Sequence, residues 1–489
     1  MTDSIHHLIS APFSRPARSL CALALAALLA ACASPGPEHP PLALASAEAL
    51  GLDAMPAATM VDAHWWQALG DPQLDALVER GLQTHPSLAV VQARVAHALA
   101  LADISRASAG PQASLSLSAT RQRYSENGLV PPPIAGNVWN SGNLQAGLSW
   151  EPDFFGRHQA ELAAAVGQAR ASAADAAAAR NLLASQISRA YLNLARLFEQ
   201  RELAQRGLAQ HDDMLALTLQ RVRAGLDTAV EQTQSEAGLP DARLQIEQLD
   251  EQIALGRNQL AALTLAMPAE TARLQPHLQA LRPLTPPAVL GADLLGRRPD
   301  VVAARWRVEA AGQDVASART QFYPNISLSA FVGFDALGLN QLLDLGSRQF
   351  GAGPALHLPL FDGGRLRAQL GGRQADLDAA IAVYNGTLVD ALREARDALA
   401  TLQSLQRQQQ QQQLAQANAE QALALAEQRS RAGLGNALLP LASEGPLLAQ
   451  LRVAADLRAR TLDTQLQLMR AVGGGWVDDN PGPGNSASR

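Results

Sequence analysis

The sequence contains no lysine, few aromatic residues and no excess of basic charge. All 39 basic side chains are therefore arginine, which we interpret as genome composition. The formal net charge is −6, and a nucleic-acid partner would require a basic field, so the composition argues against nucleic acid. Aromatic residues make up only 4%, which favours long helices packed through small side chains over an aromatic-rich globular core.

Only two cysteines are present, and their positions exclude a disulfide framework. Cys21 lies in an apolar run, Leu20 to Ala31, that follows two arginines and is too short to span a bilayer comfortably. This is the pattern of a secretory signal, so a mature chain would retain only Cys32.

The end of the leader predicts an anchor. The run ends in Leu29-Ala30-Ala31-Cys32, which resembles a bacterial lipobox. Residues 1–31 are therefore predicted to be a lipoprotein signal peptide, Cys32 the lipidated residue, and residues 32–61 a periplasmic tether and linker rich in proline and alanine. An ordinary signal peptide with an incidental cysteine is the alternative.

The chain contains an internal repeat with a spacing of about 210 residues. Pro86 to Arg94 aligns with Pro299 to Arg307, and Gln220 to Leu226 aligns with Gln428 to Leu434. We therefore predict a first structural repeat over 62–285 and a second over 286–476, each with a short helix, two strands, a long helix, a turn and a medium helix. Residues 477–489 are predicted to be a disordered tail.

Alternating apolar and polar residues predict four strands. In the first, Leu115 and Leu117 alternate with Ser116 and Ser118. The predicted strands cover about 111–124, 138–155, 322–335 and 350–361, and these windows hold 11 of the 19 aromatic residues, as an aromatic girdle would. A four-stranded sheet packed on a helix is the alternative, although the small polar partners also suit a water-filled lumen.

Two long stretches without proline predict long helices at about 156–224 and 364–432, followed by turns at about 224–228 and 432–437. At 1.5 Å per residue, each helix would be roughly 100 Å long. Leu183, Ile187 and Tyr191 belong to an apolar seam in the first long helix.

Two further predictions concern the second repeat. The glutamines 408–413 are predicted to form an exposed face of the long helix, and Pro440 is predicted to interrupt the start of the next helix.

One chain supplies only four strands, which cannot close a barrel. An open sheet edge is not tolerated in lipid, because its N–H and C=O groups would lack partners. Oligomerisation is therefore required, and three copies would give twelve strands, an even number that leaves room for an aqueous channel.

Several motifs together resemble one known family over nearly all of residues 62–476. They are Trp65-Trp66 with Leu69-Gly-Asp-Pro72, Gly296-Arg-Arg-Pro-Asp300, Phe322-Tyr-Pro-Asn-Ile326, Leu358-Pro-Leu-Phe-Asp-Gly-Gly-Arg365, the two Arg-Ala-Gly-Leu turns, and Gly473-Gly-Gly-Trp476. They are similar to the TolC-type outer-membrane efflux proteins, specifically the NodT-type lipoprotein channels that serve resistance-nodulation-division pumps. The resemblance implies an α+β membrane protein, an internally duplicated protomer whose homotrimer forms a 12-stranded outer-membrane β-barrel continued by a long periplasmic α-helical barrel.

The same resemblance implies a function. The chain would be the outer-membrane channel of a tripartite efflux pump, a passive exit duct for drugs or other small molecules that a periplasmic adaptor and an inner-membrane pump deliver. Such a duct needs no catalytic residue, cofactor or metal. The histidines have no metal-ligand spacing, and Glu151 and Asp153 are predicted to have no partner histidine. We therefore predict that the protein is not an enzyme.

The two turns between long and medium helices are the predicted partner sites. Gly225 and Gly433 lie where a helix reverses, which suits a left-handed C-terminal cap, and that structural role alone is the alternative to a binding role. In the family these turns contact the adaptor. The candidate adaptor-binding residues are therefore Arg223, Gly225, Leu226, Arg431, Gly433 and Leu434.

Family members often place an aspartate pair after the second turn as a ring on the threefold axis, and this sequence lacks it. The remaining candidate aperture acids are Asp227, Glu231 and Glu444, and a solvated helix face is the alternative role for each. Two other functions also stay open from the sequence. These are a channel for type I protein secretion and a periplasmic coiled-coil adaptor lipoprotein without a barrel.

Overall fold

The structure is a computed structural model that describes residue 35 and residues 40–45, 62–285 and 297–477. The predicted signal peptide, Cys32, most of the tether and the tail after Val477 lie outside these residues. The chain divides into two units, each built from three segments. The first unit is Met1–Ala43, Ala96–Arg170 and Trp306–Ala382, and the second is Leu44–Val95, Ala171–Arg305 and Val383–Arg489.

The predicted order of helix, two strands, long helix and medium helix occurs twice along the chain, and the first copy also contains two additional helices, one at its start and one at its end. After a 3-10 turn at Trp65–Leu69, the first copy contains α1 (Pro72–Thr84), α2 (Pro86–Ser108), β1 (Gln112–Arg123), β2 (Val138–Trp150), α3 (Arg157–Arg223), α4 (Ala229–Thr264) and the short α5 (Pro268–Thr271). The second copy contains α6 (Pro299–Thr320), β3 (Asn325–Leu337), β4 (Arg348–His357), α7 (Arg365–Arg431) and α8 (Leu438–Ala471).

The first unit contains one antiparallel sheet in the order β1-β2-β3-β4. Two strands are shorter at their ends than alternation predicts. β2 ends at Trp150 and not near 155, and β4 ends at His357 and not near 361. Pro152 lies just beyond the end of β2, where it has no N–H to donate to the ladder. Pro359 lies just beyond the end of β4, an outer strand that accommodates Pro354 within its length.

The helices of the first unit bury a small core of their own. Val315, Ala318 and Phe322 of α6 pack against Leu366 and Leu370 of α7. Val315 and Phe322 are seven residues apart, a spacing that places both side chains on the helix face that meets α7.

The second unit holds the main core. Trp66 is 2% exposed and packs in one cluster with Ile187 and Tyr191 of α3, which confirms the predicted apolar seam. The Tyr191 hydroxyl donates a hydrogen bond of 2.6 Å to Asp71, whose other carboxylate oxygen caps the start of α1. The buried aromatic residues therefore fix α1 against the long helix.

Two expectations about the second repeat are wrong. Pro440 does not interrupt α8, which begins at Leu438, because a first-turn residue has no intrahelical partner for its N–H. The glutamine run is not one exposed face either. Gln412 is 7% exposed, and its Nε2 donates to the Gln450 carbonyl of α8 at 2.9 Å, so a glutamine amide serves as an interhelical contact.

Candidate functional sites

The sheet has one apolar and one polar face, continuous across all four strands. The register aligns Leu115 with Ala146, Ala146 with Val332, and Val332 with Phe350. The neighbouring row on the opposite face consists of Ser116, Gln145, Gly333 and Gln349. One face is therefore hydrocarbon-like, and the other presents hydroxyl, amide and glycine groups.

Most of the apolar face is uncovered among the described residues, apart from the end at Gly142 and Ala336, which lies against Leu339 and Leu342. Leu117 is 70% exposed and Phe350 is 78% exposed, and every residue of β1 is exposed. In this sheet β1 and β4 are the outer strands, and each has a neighbour on only one side. A large exposed apolar surface with two unpaired edges requires another surface to cover it.

The strands have the length that a bilayer requires. β1 contains 12 residues and β2 contains 13. At about 3.4 Å per residue, twelve residues span about 41 Å. A tilt of about 40° reduces that to about 31 Å, close to the hydrocarbon thickness of about 30 Å.

A histidine lies beside the acidic end of β2, contrary to the sequence prediction. The ring of His158 is within 3.6 Å of Glu151 and 3.4 Å of Glu161, without forming a hydrogen bond to either. Arg157 donates to the same two carboxylates at 3.1 Å and 3.0 Å. The cluster joins the end of the strand to the first turns of α3, and ion pairing with arginine occupies both acids.

The two turns after the long helices have the same backbone geometry. Gly225 and Gly433 have φ values of +72° and +68°, which confirms the predicted left-handed conformation. After each glycine, a leucine N–H bonds back to an arginine carbonyl, Leu226 to Arg221 at 2.8 Å and Leu434 to Arg429 at 3.0 Å. This is the Schellman motif, in which glycine avoids the steric cost of a positive φ.

The candidate adaptor contacts lie on the surface of these turns. Leu226 and Leu434 are 66% and 72% exposed. Arg223 is exposed and has no side-chain partner among the described residues, whereas Arg431 donates to Glu427 at 2.8 Å. Each turn therefore presents an exposed leucine beside an arginine, a surface that a partner helix can contact.

The side chains that stabilise the two turns differ. In the first turn, Arg221 makes a two-point ion pair with Asp227 at 2.7 Å and 2.8 Å. Thr228 and Glu231 form a capping box at the start of α4. In the second turn, Gly435 occupies the position that aligns with Asp227, and Asn436 accepts from the Leu438 N–H at 3.0 Å.

All three candidate aperture acids have partners in the chain. Asp227 bonds to Arg221, Glu231 caps α4, and Glu444 lies 3.8 Å from Arg206. These contacts give Asp227 and Glu231 local structural roles. An aperture role for the three acids stays a prediction.

Acid is expected to loosen the first turn more than the second. The hydrogen bond from Arg221 lowers the pKa of Asp227, and the hydrogen bond from the Thr228 side chain lowers the pKa of Glu231. A carboxyl with a lowered pKa stabilises the fold above its ordinary pKa of about 4 and loses that contribution as the pH falls through the lowered value.

Amide hydrogen exchange measured at neutral pH and at about pH 3 tests this expectation. The amides of Gly225 and Leu226 should lose protection in acid relative to those of Gly433 and Leu434, which serve as the internal control. Equal loss at the two turns would contradict it.

Sequence reasoning missed a buried ion-pair network in the Gly296 to Asp300 motif. Arg298 is 6% exposed and donates to Asp300 at 2.6 Å and to Glu394 at 2.9 Å. Arg470 donates to the same Glu394 carboxylate at 3.1 Å. The only local signal was an arginine two residues before an acid, Arg298 and Asp300, because Glu394 is 96 residues away.

Comparison with known proteins assigns the chain to a family. Residues 77–264 and 290–474 match the family model described as outer membrane efflux protein. The chain belongs to the outer membrane efflux protein family. Each matched stretch contains the helix, the two strands, the long helix and the medium helix of one copy, and together they contain the sheet and both turns.

Several relatives of this efflux family are named for drug or toxin resistance. The fusaric acid resistance protein FusA of Burkholderia cepacia is 38% identical over 378 residues, which are 75% of this chain and 71% of that protein. The multidrug resistance outer membrane protein MdtP of Escherichia coli K12 is 31% identical over 425 residues, 85% of this chain and 86% of that protein.

Solved outer-membrane channels have the same fold. The outer membrane protein VceC of Vibrio cholerae matches with a TM-score of 0.77 and 36% identity, over 84% of this chain and 99% of that one. The CmeC channel of Campylobacter jejuni matches with a TM-score of 0.78 and 20% identity, over 91% and 94%, a likeness of fold alone. This outer membrane efflux protein is therefore a channel protein of the outer membrane, in a family of ducts and not of enzymes.

Proposed function

We propose that three copies of this efflux protein form a 12-stranded barrel in the outer membrane, continued in the periplasm by a barrel of long helices. The observation that carries the proposal is the sheet, with one apolar face, one polar face and two unpaired edges. Three such sheets satisfy all edges by pairing β4 of one copy with β1 of the next. The apolar face then contacts lipid, and the polar face lines water.

The duct is passive. Solute moves down its gradient through the lumen, and an inner-membrane pump of the resistance-nodulation-division type supplies the free energy through a periplasmic adaptor. The chain itself carries out no chemistry and binds no cofactor. Resistance to fusaric acid and to multiple drugs among the relatives supports small organic compounds as the exported class. Lipidation of Cys32 would add an anchor in the membrane.

The full-length lipoprotein extracted in detergent tests the channel. Native mass measurement should give a trimer, and insertion into planar bilayers should give stable conductance steps. A monomer that still conducts would contradict the proposal, as would a protein that becomes wholly water-soluble when its acyl group is removed.

The two turns are proposed to be the adaptor-binding tip. Exposed Leu226 and Leu434 supply apolar contacts, and Arg223 and Arg431 supply charge beside them. The substitutions Arg223→Glu and Arg431→Glu should each lower recovery of the adaptor in a pull-down, because they reverse the charge that faces the partner.

The trimer should remain intact in both variants, since neither side chain contributes to a core. Arg273→Glu is the matched control, because Arg273 is an exposed arginine in the loop after α5 and has no side-chain partner among the described residues. Unchanged adaptor recovery with both tip variants would refute the contact.

A further inference from the structure

The helical hairpins of the two repeats carry opposite net charge although they align residue for residue. Residues 199–264 contain six arginines and eleven acidic residues, a net charge of −5. The aligned window, residues 407–472, contains seven arginines and five acidic residues, a net charge of +2. Both windows lie in the second unit. Two copies of one structural element thus differ by seven charges.

Polar contacts arrange the four helices of these hairpins in a row. Arg201 of α3 pairs with Asp250 of α4, which joins those two helices. Arg196 of α3 pairs with Asp456 of α8 at 3.2 Å. Gln409 of α7 donates to Thr461 of α8 at 3.0 Å. The order is therefore α4-α3-α8-α7, and the helices at its two ends are α4 and α7.

An acidic patch lies on the end helix α4. It consists of Leu244, Glu247, Glu251 and Leu255, whose spacings of three, four and four residues place them on one helix face. All four are exposed, the two leucines by 58% and 59%. Neither glutamate has an ion pair or side-chain hydrogen bond among the described residues. The patch therefore presents two unpaired carboxylates between two exposed leucine side chains.

A basic patch lies on α7, at the other end of the row, and on the neighbouring α8, whose Arg460 also borders a second groove lined by α3 and by Gln259 of α4. It consists of Arg407 and Leu414 of α7 with Val453 and Arg460 of α8, all exposed. Arg407, Val453 and Arg460 line the same groove, whose volume is about 610 Å³. Within the described part of the chain, neither arginine side chain has a partner. The patch therefore matches the acidic patch in composition, with arginine in place of glutamate.

The two patches lie at the same distance from their tip turns. Glu251 is 22 residues after the start of α4 at Ala229, and Arg460 is 22 residues after the start of α8 at Leu438. At 1.5 Å per residue, both lie about 33 Å along their helices. Hairpins arranged side by side in a ring would bring the patches to one level.

We propose that the basic patch of one copy binds the acidic patch of the next, so that an electrostatic seam joins neighbouring copies. The proposal rests on the trimer proposed above. Because the two surfaces differ, the contact is heterologous, and it closes into a ring when every copy uses both patches. The complementary charges would determine that α4 of one copy pairs with α7 and α8 of its neighbour. The contact would also bury the exposed apolar side chains of both patches.

Charge reversal in the full-length lipoprotein tests the seam. The double variant Arg407→Glu/Arg460→Glu should dissociate in detergent at least about tenfold more readily than the unmodified chain, because attraction becomes repulsion at each contact. Glu247→Arg/Glu251→Arg should have the same effect. The variant that combines all four substitutions should recover the trimer, because the charges are exchanged and not removed. Arg273→Glu is the matched single-charge control and should assemble normally.

Cysteine cross-linking provides a measurement that does not depend on stability. Glu251→Cys combined with Arg460→Cys should give oxidised bands larger than one chain, which reductant removes, whereas Glu251→Cys with Arg273→Cys should give none. Full assembly of both double charge variants would overturn the seam while leaving the trimer standing. A monomeric unmodified chain would instead overturn the proposed channel. Intact trimers with reduced adaptor recovery would assign the basic patch to the adaptor and also overturn the seam.

Discussion

Replacing Leu117 by arginine is expected to prevent stable assembly of the channel in the membrane, whereas the same substitution at the adjacent Ser118 is expected to leave assembly near normal. The two residues are neighbours near the middle of β1, and they point to opposite faces of the sheet. An arginine on the lipid face near the bilayer midplane costs about 2–4 kcal/mol per copy, while an arginine facing the lumen remains hydrated. In the proposed trimer, three copies multiply the difference.

Heat-modifiable migration on gels and conductance in planar bilayers would measure this pair of variants. Loss of the folded band with Leu117→Arg and retention with Ser118→Arg would support the assignment of the two faces. The opposite result would reverse it, placing Leu117 towards water. Equal behaviour of the variants would mean that neither face contacts lipid.

Arg298→Ala is expected to destabilise the helical part of the chain more than the loss of a solvent-exposed arginine does. Burial opposes the charge of Arg298, but hydrogen bonds and charge from Asp300 and Glu394 outweigh it and raise the arginine pKa. Removing the buried guanidinium leaves Asp300 without its partner, whereas Glu394 retains its contact with Arg470. A fully buried ion pair costs about 3–5 kcal/mol to break. Because the side chains of Asp300 and Glu394 are 40% and 29% exposed, solvent screens part of this, and we expect a loss of about 2 kcal/mol.

Thermal unfolding followed by circular dichroism in detergent would measure the effect. Arg470→Ala is the matched control, because Arg470 contacts the same Glu394 but its side chain is 34% exposed. Its loss should cost at most about 1 kcal/mol, as for other solvent-accessible ion pairs. Equal destabilisation by both substitutions would show that burial of Arg298 does not decide the energetics.

Much of the fold could be predicted because its signals are periodic. Alternation over Leu115 to Ser118 indicates a strand with two different faces, and the spacing of Leu183, Ile187 and Tyr191 indicates a helix seam. The glycines of the two turns indicate their left-handed conformation, because few other residues adopt it cheaply. These are local properties of the backbone, and local sequence determines them.

The features that local sequence did not predict are of two kinds. Some are contacts between residues distant in the chain, and others depend on which face of a helix another helix buries. Arg298 meets Glu394 across 96 residues, so no local pattern identifies their contact. Gln412 looks like part of a solvated run, yet α8 covers it. His158 meets Glu151 only because the chain bends sharply between β2 and α3. The three candidate aperture acids likewise acquire their partners through turns and neighbouring helices.

The unpaired edges of β1 and β4 also affect biogenesis. Before assembly, a newly exported copy exposes the unpaired backbone N–H and C=O groups of β1 and β4 and an apolar sheet face, to which any similar strand can bind. Pairing with the correct partner therefore competes with aggregation. The proposed trimer requires three molecules to meet. Slow export would therefore delay its assembly, and a high local concentration of unassembled copies would favour aggregation.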